Sequence, residues 1–323
     1  MRHIPPAVAT AAVLVLTLLT ACTGEDPAAA PVPTGGPAQN PAKAVAVEHS
    51  LSEGLSFPVE RYEISDADQR ILERALDTLA RRCMDRYGLD YVPAHVAKAT
   101  NAGPYTYLYG VDDPVVAAEY GYMDPRGLDP AAYRPARARE LTEDEQLVMY
   151  GIQEELDTGE LPTTLEESEA MKGPVFHGKQ VPVTGCMGDS QLRINRPDKG
   201  WIDPTSLGSL QEDAAQEADD DPRVKALLGE WSACMAGHGY RVKSPLTARD
   251  ELKVNGDRKL KQAIRAAVQD VACKTETDLV KRWAAVDAEY QKKVIGEHRD
   301  YLRKLTEQQR ETVQRAREVL GPQ

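Results

Sequence analysis

Four cysteines beyond the N-terminal segment have the most informative spacing in this chain: Cys83, Cys186, Cys234 and Cys273. An even number of cysteines in an exported protein predicts that they pair as two disulfides. None lies in a C-x-x-C motif, so a zinc knuckle, a thioredoxin-like centre and a haem attachment all lack their basic motif. The number of cysteines alone allows three pairings, and we predict neither a metal site nor a cofactor.

Two of these cysteines begin the same short pattern, C-M-x-x-x-G followed by an aliphatic or aromatic residue. Residues 83–89 read CMDRYGL, and residues 234–240 read CMAGHGY. A fainter pattern joins Cys186 and Cys273 to an acidic residue three positions later. The repetition predicts two copies of one unit, and chance similarity is the alternative.

If each unit closes on itself, the bonded pairs are Cys83 with Cys186 and Cys234 with Cys273. In the loop-entropy description each bond would stabilise the fold by roughly 4–5 kcal/mol, which is a large share of a domain's net stability. We therefore expect structural disulfides. Four free thiols would instead indicate a thiol or metal sensor.

Familiar catalytic motifs do not occur in the sequence. The G-x-S-x-G nucleophile turn, the S-x-x-K motif and the H-E-x-x-H zinc motif are all missing, and we assign no catalytic residue. Carboxylates are abundant, so a wall-acting enzyme that uses two of them is the alternative. Asp189 and Glu276, each three residues after a cysteine, are its first candidates. Helix-surface acids or local caps are the favoured interpretation of both.

Methionine and aromatic residues near the cysteines are predicted to fill the core. Three methionines directly follow a cysteine and, with His238, could form a soft copper(I) site: Met84, Met187 and Met235. Methionine beside a helical cysteine is typical of core packing, so no metal ligand is assigned. The apolar stripes also carry Trp231, Trp283 and Tyr290, which favours a core position over a ligand platform.

The N-terminus indicates export and lipidation. Residues 1–3 read MRH, residues 7–19 form an apolar stretch, and residues 19–22 read LTAC. An apolar helix of this length rises only about 20 Å against roughly 30 Å of hydrocarbon, so residues 1–21 are predicted to be a signal peptide. The LTAC segment resembles a lipobox, which implies that a diacylglycerol is attached to the Cys22 sulfur and that the chain is cut before it. Two acyl chains suffice for stable anchoring.

The composition describes an acidic exported protein. Removing residues 1–21, which contain Arg2 and no acid, makes the formal net charge of −12 one unit more negative. Nucleic acid repels such a chain, so we predict no nucleic-acid partner. Residues 22–50 are rich in Ala, Pro and Gly and are predicted to be a disordered tether that carries the lipid anchor.

Helix signals dominate the rest of the chain and should position these residues. Apolar residues recur every three or four positions across residues 72–87. Capping residues mark further helix starts: Ser65, Asp113, Thr142 and Asp221. Residues 257–320 contain almost no helix breaker and predict a long C-terminal segment that bends at Gly296. Weaker signals predict a strand at residues 105–109 and a loop or hairpin at residues 173–184.

We therefore predict a mainly α-helical, disulfide-bonded ectodomain. Its first helical unit covers residues 51–200, and its second covers residues 201–323 and ends in a long helix. One apolar stripe of this helical segment should pack on the body of the protein: Leu279, Trp283, Val286, Tyr290 and Val294. The highly charged turns after residue 296 should be more exposed.

The cysteine-bearing segments also carry a resemblance. Residues 231–235 read WSACM, residues 270–276 read DVACKTE, and Trp283 and Tyr290 follow. With these residues the chain resembles a group of uncharacterised exported proteins and lipoproteins of actinomycetes, over the region from about Tyr62 onward. The resemblance implies an exported compartment and supplies no activity.

The function that these observations indicate is that of a cell-envelope lipoprotein at the outer face of the cytoplasmic membrane. We expect a non-enzymatic binding or scaffold ectodomain. Its expected partners are the membrane, through the lipid anchor, and an unidentified envelope protein or wall component. The charged C-terminal helix is the expected contact surface. A carboxylate-dependent cell-wall enzyme is the alternative, and a thiol or metal sensor is a further one.

Overall fold

The computed structural model describes residues 50–96, 105, 107–125, 135–152, 161–198, 200–255 and 260–322. This part of the chain is mainly helical, as predicted, and belongs to one compact unit that covers residues 44–323. The boundary predicted between residues 200 and 201 therefore lies inside a packed unit. Cys22, the predicted signal peptide and nearly all of the predicted tether lie outside the described residues.

The described residues form eleven α-helices and two short antiparallel strand pairs. The helices are α1 (Asp66–Asp85), α2 (Pro114–Tyr120), α3 (Glu143–Tyr150), α4 (Leu165–Ala170), α5 (Gly185–Asn195), α6 (Ser206–Asp219), α7 (Pro222–Gly237), α8 (Ala248–Glu251), α9 (Leu260–Glu276), α10 (Leu279–Glu297) and α11 (Arg299–Leu320). A 3₁₀ turn at Pro58–Tyr62 precedes α1. The strand pairs are β1 (Ala94–Val96) with β2 (Pro135–Arg137), and β3 (Val175–Phe176) with β4 (Lys179–Gln180). The second pair is a hairpin, one of the two structures predicted for residues 173–184.

The predicted helix starts are confirmed at atomic detail. The Ser65 hydroxyl accepts the Asp68 N–H at 3.1 Å at the start of α1. Thr142 and Glu145 form the predicted capping box of α3, with each side chain accepting the backbone N–H of the other residue. Asp113 and Asp221 cap α2 and α7, and each precedes a proline in the first turn. These contacts satisfy backbone donors that a helix start would otherwise leave unpaired.

The two C-M-x-x-x-G segments fold in the same way. In each, the glycine adopts a left-handed conformation, with φ of 72° at Gly88 and 88° at Gly239. The N–H of the following residue then donates to the methionine carbonyl five residues earlier, over 3.2 Å to Met84 and 2.9 Å to Met235. This is the Schellman arrangement that ends a helix, and it explains why the pattern requires glycine at that position.

The strand predicted at residues 105–109 is wrong for the described residues there. The Leu108 N–H donates to the Tyr105 carbonyl at 3.0 Å, and the Gly110 N–H donates to the Tyr107 carbonyl at 3.0 Å, so the backbone forms consecutive turns. Tyr107 has a φ of 68°, which a strand does not contain. These tyrosines pack instead of forming a strand. Tyr109 belongs to the buried cluster that includes Trp231 and Trp283, here called the main core, and Tyr105 packs against it.

The C-terminal segment consists of two helices that break near the predicted bend. α10 ends at Glu297, one residue after Gly296, and α11 begins at Arg299. The apolar stripe of α10 packs on the body as predicted, with Trp283 buried against Tyr109. The following turns are more exposed, as predicted: five of the 22 residues of α11 are buried, against seven of the 19 residues of α10. α11 still buries one narrow face: Leu302, Leu305, Thr312, Val313 and Ala316. Val313 and Ala316 pack against α1 and α5, whereas Leu302 and Leu305 belong to the cluster that contains Trp283.

Candidate functional site

Both disulfides join pairs of helices in the combination that the repeated patterns predict. Cys83 at the end of α1 bonds Cys186 in the first turn of α5, with Cα atoms 5.5 Å apart. Cys234 near the end of α7 bonds Cys273 near the end of α9, with Cα atoms 5.8 Å apart. The second cysteine therefore has a different position in the two pairs: Cys186 lies near the start of α5, whereas Cys273 lies near the end of α9. Among the described residues, the structural likeness of the two units is therefore confined to the C-M-x-x-x-G segments.

The two acids singled out beside the cysteines have unrelated surroundings. Asp189 is buried and pairs with Arg193, whose Nε lies 2.8 Å from its Oδ2, one helical turn further along α5. Glu276 is exposed, and its Oε2 lies 3.6 Å from the Cys234 sulfur. Glu276 is therefore a helix-surface acid, as the favoured interpretation has it, whereas Asp189 is buried and is neither a surface acid nor a cap. Among the described contacts, no second carboxylate converges on either of them.

The methionines are not brought together as a soft metal site. Met84 and Met187 pack in the cluster around the first disulfide, whereas Met235 lies in the main core beside Trp231. Among the described residues, one group of three His, Cys, Asp or Glu side chains has its ligand atoms within 4.8 Å of one another, and it consists of Cys234, His238 and Cys273. Because the two sulfurs are bonded to each other, neither is available as the thiolate that ligates a metal.

A fully buried ion-pairing network lies next to the second disulfide, because Lys274 directly follows Cys273 in α9. Lys274 and Asp270 lie one turn apart on α9, both with 0% exposed side chains, and Lys274 Nζ is 3.1 Å from Asp270 Oδ1. The same carboxylate oxygen accepts the Trp231 Nε1–H at 3.0 Å. Lys274 Nζ also donates to the Val111 carbonyl at 2.6 Å. Burial lowers the pKa of Lys274 and raises the pKa of Asp270, against the opposing effect of their mutual attraction.

A second buried acid extends this network. Asp112 Oδ2 accepts the Ser50 hydroxyl at 2.7 Å and the Ser52 N–H at 3.1 Å, and it also accepts the Ser52 hydroxyl. Its Oδ1 has no hydrogen-bond partner among the described residues, and the carboxylate interacts electrostatically with Lys274. Gly110 allows this approach, because a side-chain Cβ there would lie 3.2 Å from Lys274 Nζ and 2.8 Å from the Pro245 carbonyl oxygen.

Sequence reasoning missed Lys274 and Asp270 as functional candidates. An acid and a lysine four residues apart on a helix are typical of a solvent-exposed pair. The signal that could have found them is their position beside the apolar Val271 and beside Cys273, which is predicted to form a disulfide, within a segment that carries few other charges.

A different buried acid lies among aromatic rings at the centre of the main core. The Tyr109 hydroxyl donates to Asp287 Oδ2, and the Tyr109 and Trp283 ring centroids are 5.2 Å apart. Burial raises the pKa of Asp287 to about 6, and the nearby carboxylate of Asp219 adds to the rise. Desolvation also raises the pKa of Asp219, which is partly exposed at the end of α6.

The surface bears a groove of about 560 Å³ between the start of α1 and the middle of α11. Ile64 and Val313 supply its apolar lining, and three arginines supply most of its charge: Arg61, Arg310 and Arg317. Arg317 pairs with Asp68 at 2.8 Å. Neither Arg61 nor Arg310 pairs with an acidic side chain among the described residues.

No protein-family model, curated protein or solved structure matches this chain. Within the described part of the chain, no helix combines the length and apolar character needed to cross a membrane.

Proposed function

We propose that this chain is a lipid-anchored, non-enzymatic binding ectodomain at the outer face of the cytoplasmic membrane, and that it binds an anionic envelope component in the groove along α11. The anchor is proposed from the LTAC segment at residues 19–22 and the apolar stretch before it. The resemblance to exported actinomycete lipoproteins is consistent with this location. The groove is the observation that carries the binding role.

Charge distribution supports an anionic ligand. The groove has three arginines and two acids, Glu63 and Asp68, in a chain whose formal net charge is −12. A local positive surface on an acidic protein attracts carboxylate or phosphate groups while the rest of the surface repels them. Arg61 and Arg310 are free to form the bidentate contacts that guanidinium groups make with such anions.

The position of the groove also suits a rigid binding site. Its α11 wall is fixed because Arg315, on the opposite side of the helix, donates to the Ile194 carbonyl at 2.7 Å and to the Asn195 carbonyl at 2.8 Å, at the end of α5. Gln309, in the groove itself, donates to the Tyr62 carbonyl at 3.0 Å. A site held in this way loses little conformational entropy when a ligand binds.

The test is co-sedimentation of the soluble ectodomain with purified cell walls and, separately, with vesicles of anionic lipid. We expect wall binding that weakens by about tenfold in the Arg61→Ala, Arg310→Ala double variant and that falls as salt is added. Arg303→Ala is the matched control, because Arg303 is exposed on the same helix outside the groove and pairs with Asp300 and Glu307. Equal losses in the control and the double variant would contradict the groove as the site.

A carboxylate-dependent wall hydrolase is the second candidate, and the acids beside Trp283 favour it. Asp287 has a pKa of about 6, a value suited to a general acid near neutral pH, and Asp219 is a neighbouring acid that is open to solvent. Release of soluble fragments from purified walls by the wild-type protein, abolished in Asp287→Asn, would favour this candidate. Wall binding without fragment release would favour the binding role.

A further inference from the structure

Lys274 and Asp270 form a buried pair in which the amine of one side chain lies against the carboxyl group of the other. Both side chains of the Lys274–Asp270 pair are 0% exposed, so no external substrate reaches either group in the folded state. An unreacted ammonium carries three N–H donors, and a carboxylate accepts at several positions. The described residues offer Lys274 only two acceptors, Val111 O and Asp270 Oδ1. The Tyr122 hydroxyl is a further polar neighbour of Asp270, and as a hydrogen-bond donor it opposes the rise in the pKa of that carboxyl.

The same contacts match the hydrogen-bonding needs of an amide. We propose that Lys274 and Asp270 condense into an intramolecular isopeptide bond, which closes a side-chain ring across the last full turn of α9. The remaining amide N–H would then donate to the Val111 carbonyl, which already lies 2.6 Å from Nζ. The remaining amide oxygen would accept the Trp231 Nε1–H, which already lies 3.0 Å from Asp270 Oδ1. The oxygen that leaves is Oδ2, because Oδ1 is the one that already accepts the Trp231 Nε1–H.

The reaction needs no reagent beyond the groups present. Nζ of neutral Lys274 attacks Cγ of protonated Asp270, a C–N bond forms, and the bond from Cγ to Oδ2 breaks. One proton moves from Nζ to the departing hydroxyl, which leaves as water, and nothing is oxidised or reduced. We assign this proton transfer to Asp112, because its carboxylate interacts electrostatically with Lys274 and its Oδ1 is unpartnered among the described residues. Trp231 stabilises the negative oxygen of the intermediate.

The protonation states that the reaction requires are those that burial favours. Desolvation lowers the pKa of Lys274 towards the neutral amine and raises the pKa of Asp270 towards the neutral acid. Condensation also removes a charged pair from the interior, where separated charges are costly. The product holds the turn of α9 that carries Cys273, so the ring and the second disulfide fix the same segment.

Mass spectrometry of the unmodified protein decides the proposal. After reduction of the disulfides, we expect an ectodomain mass lower than the sequence mass by one water molecule. Trypsin should fail to cut after Lys274 and yield residues 266–281 as one peptide lighter by one water. Lys281 is exposed on α10 and is the internal control, because trypsin should cut after it completely. A full sequence mass with complete cleavage after Lys274 would overturn the proposal.

Two further measurements separate this bond from other causes of water loss. Succinimide formation at Asp270 would also remove one water, but it would leave the Lys274 amine free and cleavable by trypsin, which would count against the isopeptide. The Asp112→Asn variant tests the proton carrier, and we expect it to keep the full sequence mass and normal cleavage after Lys274. Water loss that persists with the same block to cleavage in this variant would remove Asp112 from the reaction.

Discussion

Truncation of Trp283 tests how α10 is attached to the rest of the fold. Its side chain is 3% exposed, and its ring packs 5.2 Å from that of Tyr109, measured between centroids. Removing a buried ring of this size typically costs about 3–5 kcal/mol, part of which is the aromatic pair contact. We therefore expect Trp283→Ala to lower the free energy of unfolding by about 3–5 kcal/mol.

Thermal unfolding of the oxidised ectodomain, followed by far-ultraviolet circular dichroism, measures this effect. At about 2 °C per kcal/mol for a unit of this size, the Tm should fall by roughly 6–10 °C. Trp201→Ala is the matched control, because Trp201 is only partly buried and belongs to none of the buried clusters of the described residues. Equal shifts in the two variants would refute the packing argument. So would a Trp283→Ala protein that melts within about 1 °C of the parent.

Three further changes have defined outcomes. The folded-state pKa of Asp287, about 6, lies above the unfolded value of about 3.9, so its stabilising contribution is present at low pH and is lost as the pH rises through 6. Asp287→Asn should therefore flatten the pH dependence of urea unfolding between about pH 4 and 6, and parallel curves would contradict this. Replacing both Cys83 and Cys186 with alanine removes a bond between residues 103 positions apart, and it should lower the free energy of unfolding by roughly 4–5 kcal/mol in guanidinium titrations. An unchanged midpoint of unfolding would contradict a stabilising role of this disulfide. Cys22→Ala should move the protein from the membrane fraction to the medium or leave an uncleaved precursor, and a wild-type intact mass with unmodified Cys22 would exclude lipidation.

Features determined by short-range chemistry could be predicted from the sequence. Ser65 and Thr142 start helices because a side-chain oxygen beside an unpaired N–H is a local requirement. Gly88 and Gly239 end helices because the turn needs a left-handed residue. The pairing of the cysteines followed from the repeated C-M-x-x-x-G segments, although only those segments share a conformation.

Features determined by tertiary packing could not be predicted. α11 is rich in Arg and Glu, yet one narrow face of it is buried, with Ala316 against α1 and α5 and with Leu302 and Leu305 in the cluster that contains Trp283. The average polarity of a helix does not report the one face that packs. For the same reason, the burial of Lys274 could not be predicted. Its i, i+4 spacing to Asp270 does not show whether the Lys274 side chain contacts solvent or the Val111 carbonyl.

The candidate site depends most on such long-range placement. Arg61 and Arg310 are far apart in the sequence. They line the same groove because the segment before α1 packs beside the middle of α11. The C-terminal helix was expected to be a contact surface, but no motif indicated which of its faces would be open.

Photocrosslinking in living cells tests the proposed function most directly. A photoreactive residue at position 314 replaces Gln314, which lines the groove, and one at position 304 replaces Lys304, which is exposed on α11 outside it. The proposed function predicts that irradiation links position 314, and not position 304, to an anionic envelope component. Equal adducts from both positions, or none from position 314 in a protein that remains folded and anchored, would contradict binding in this groove.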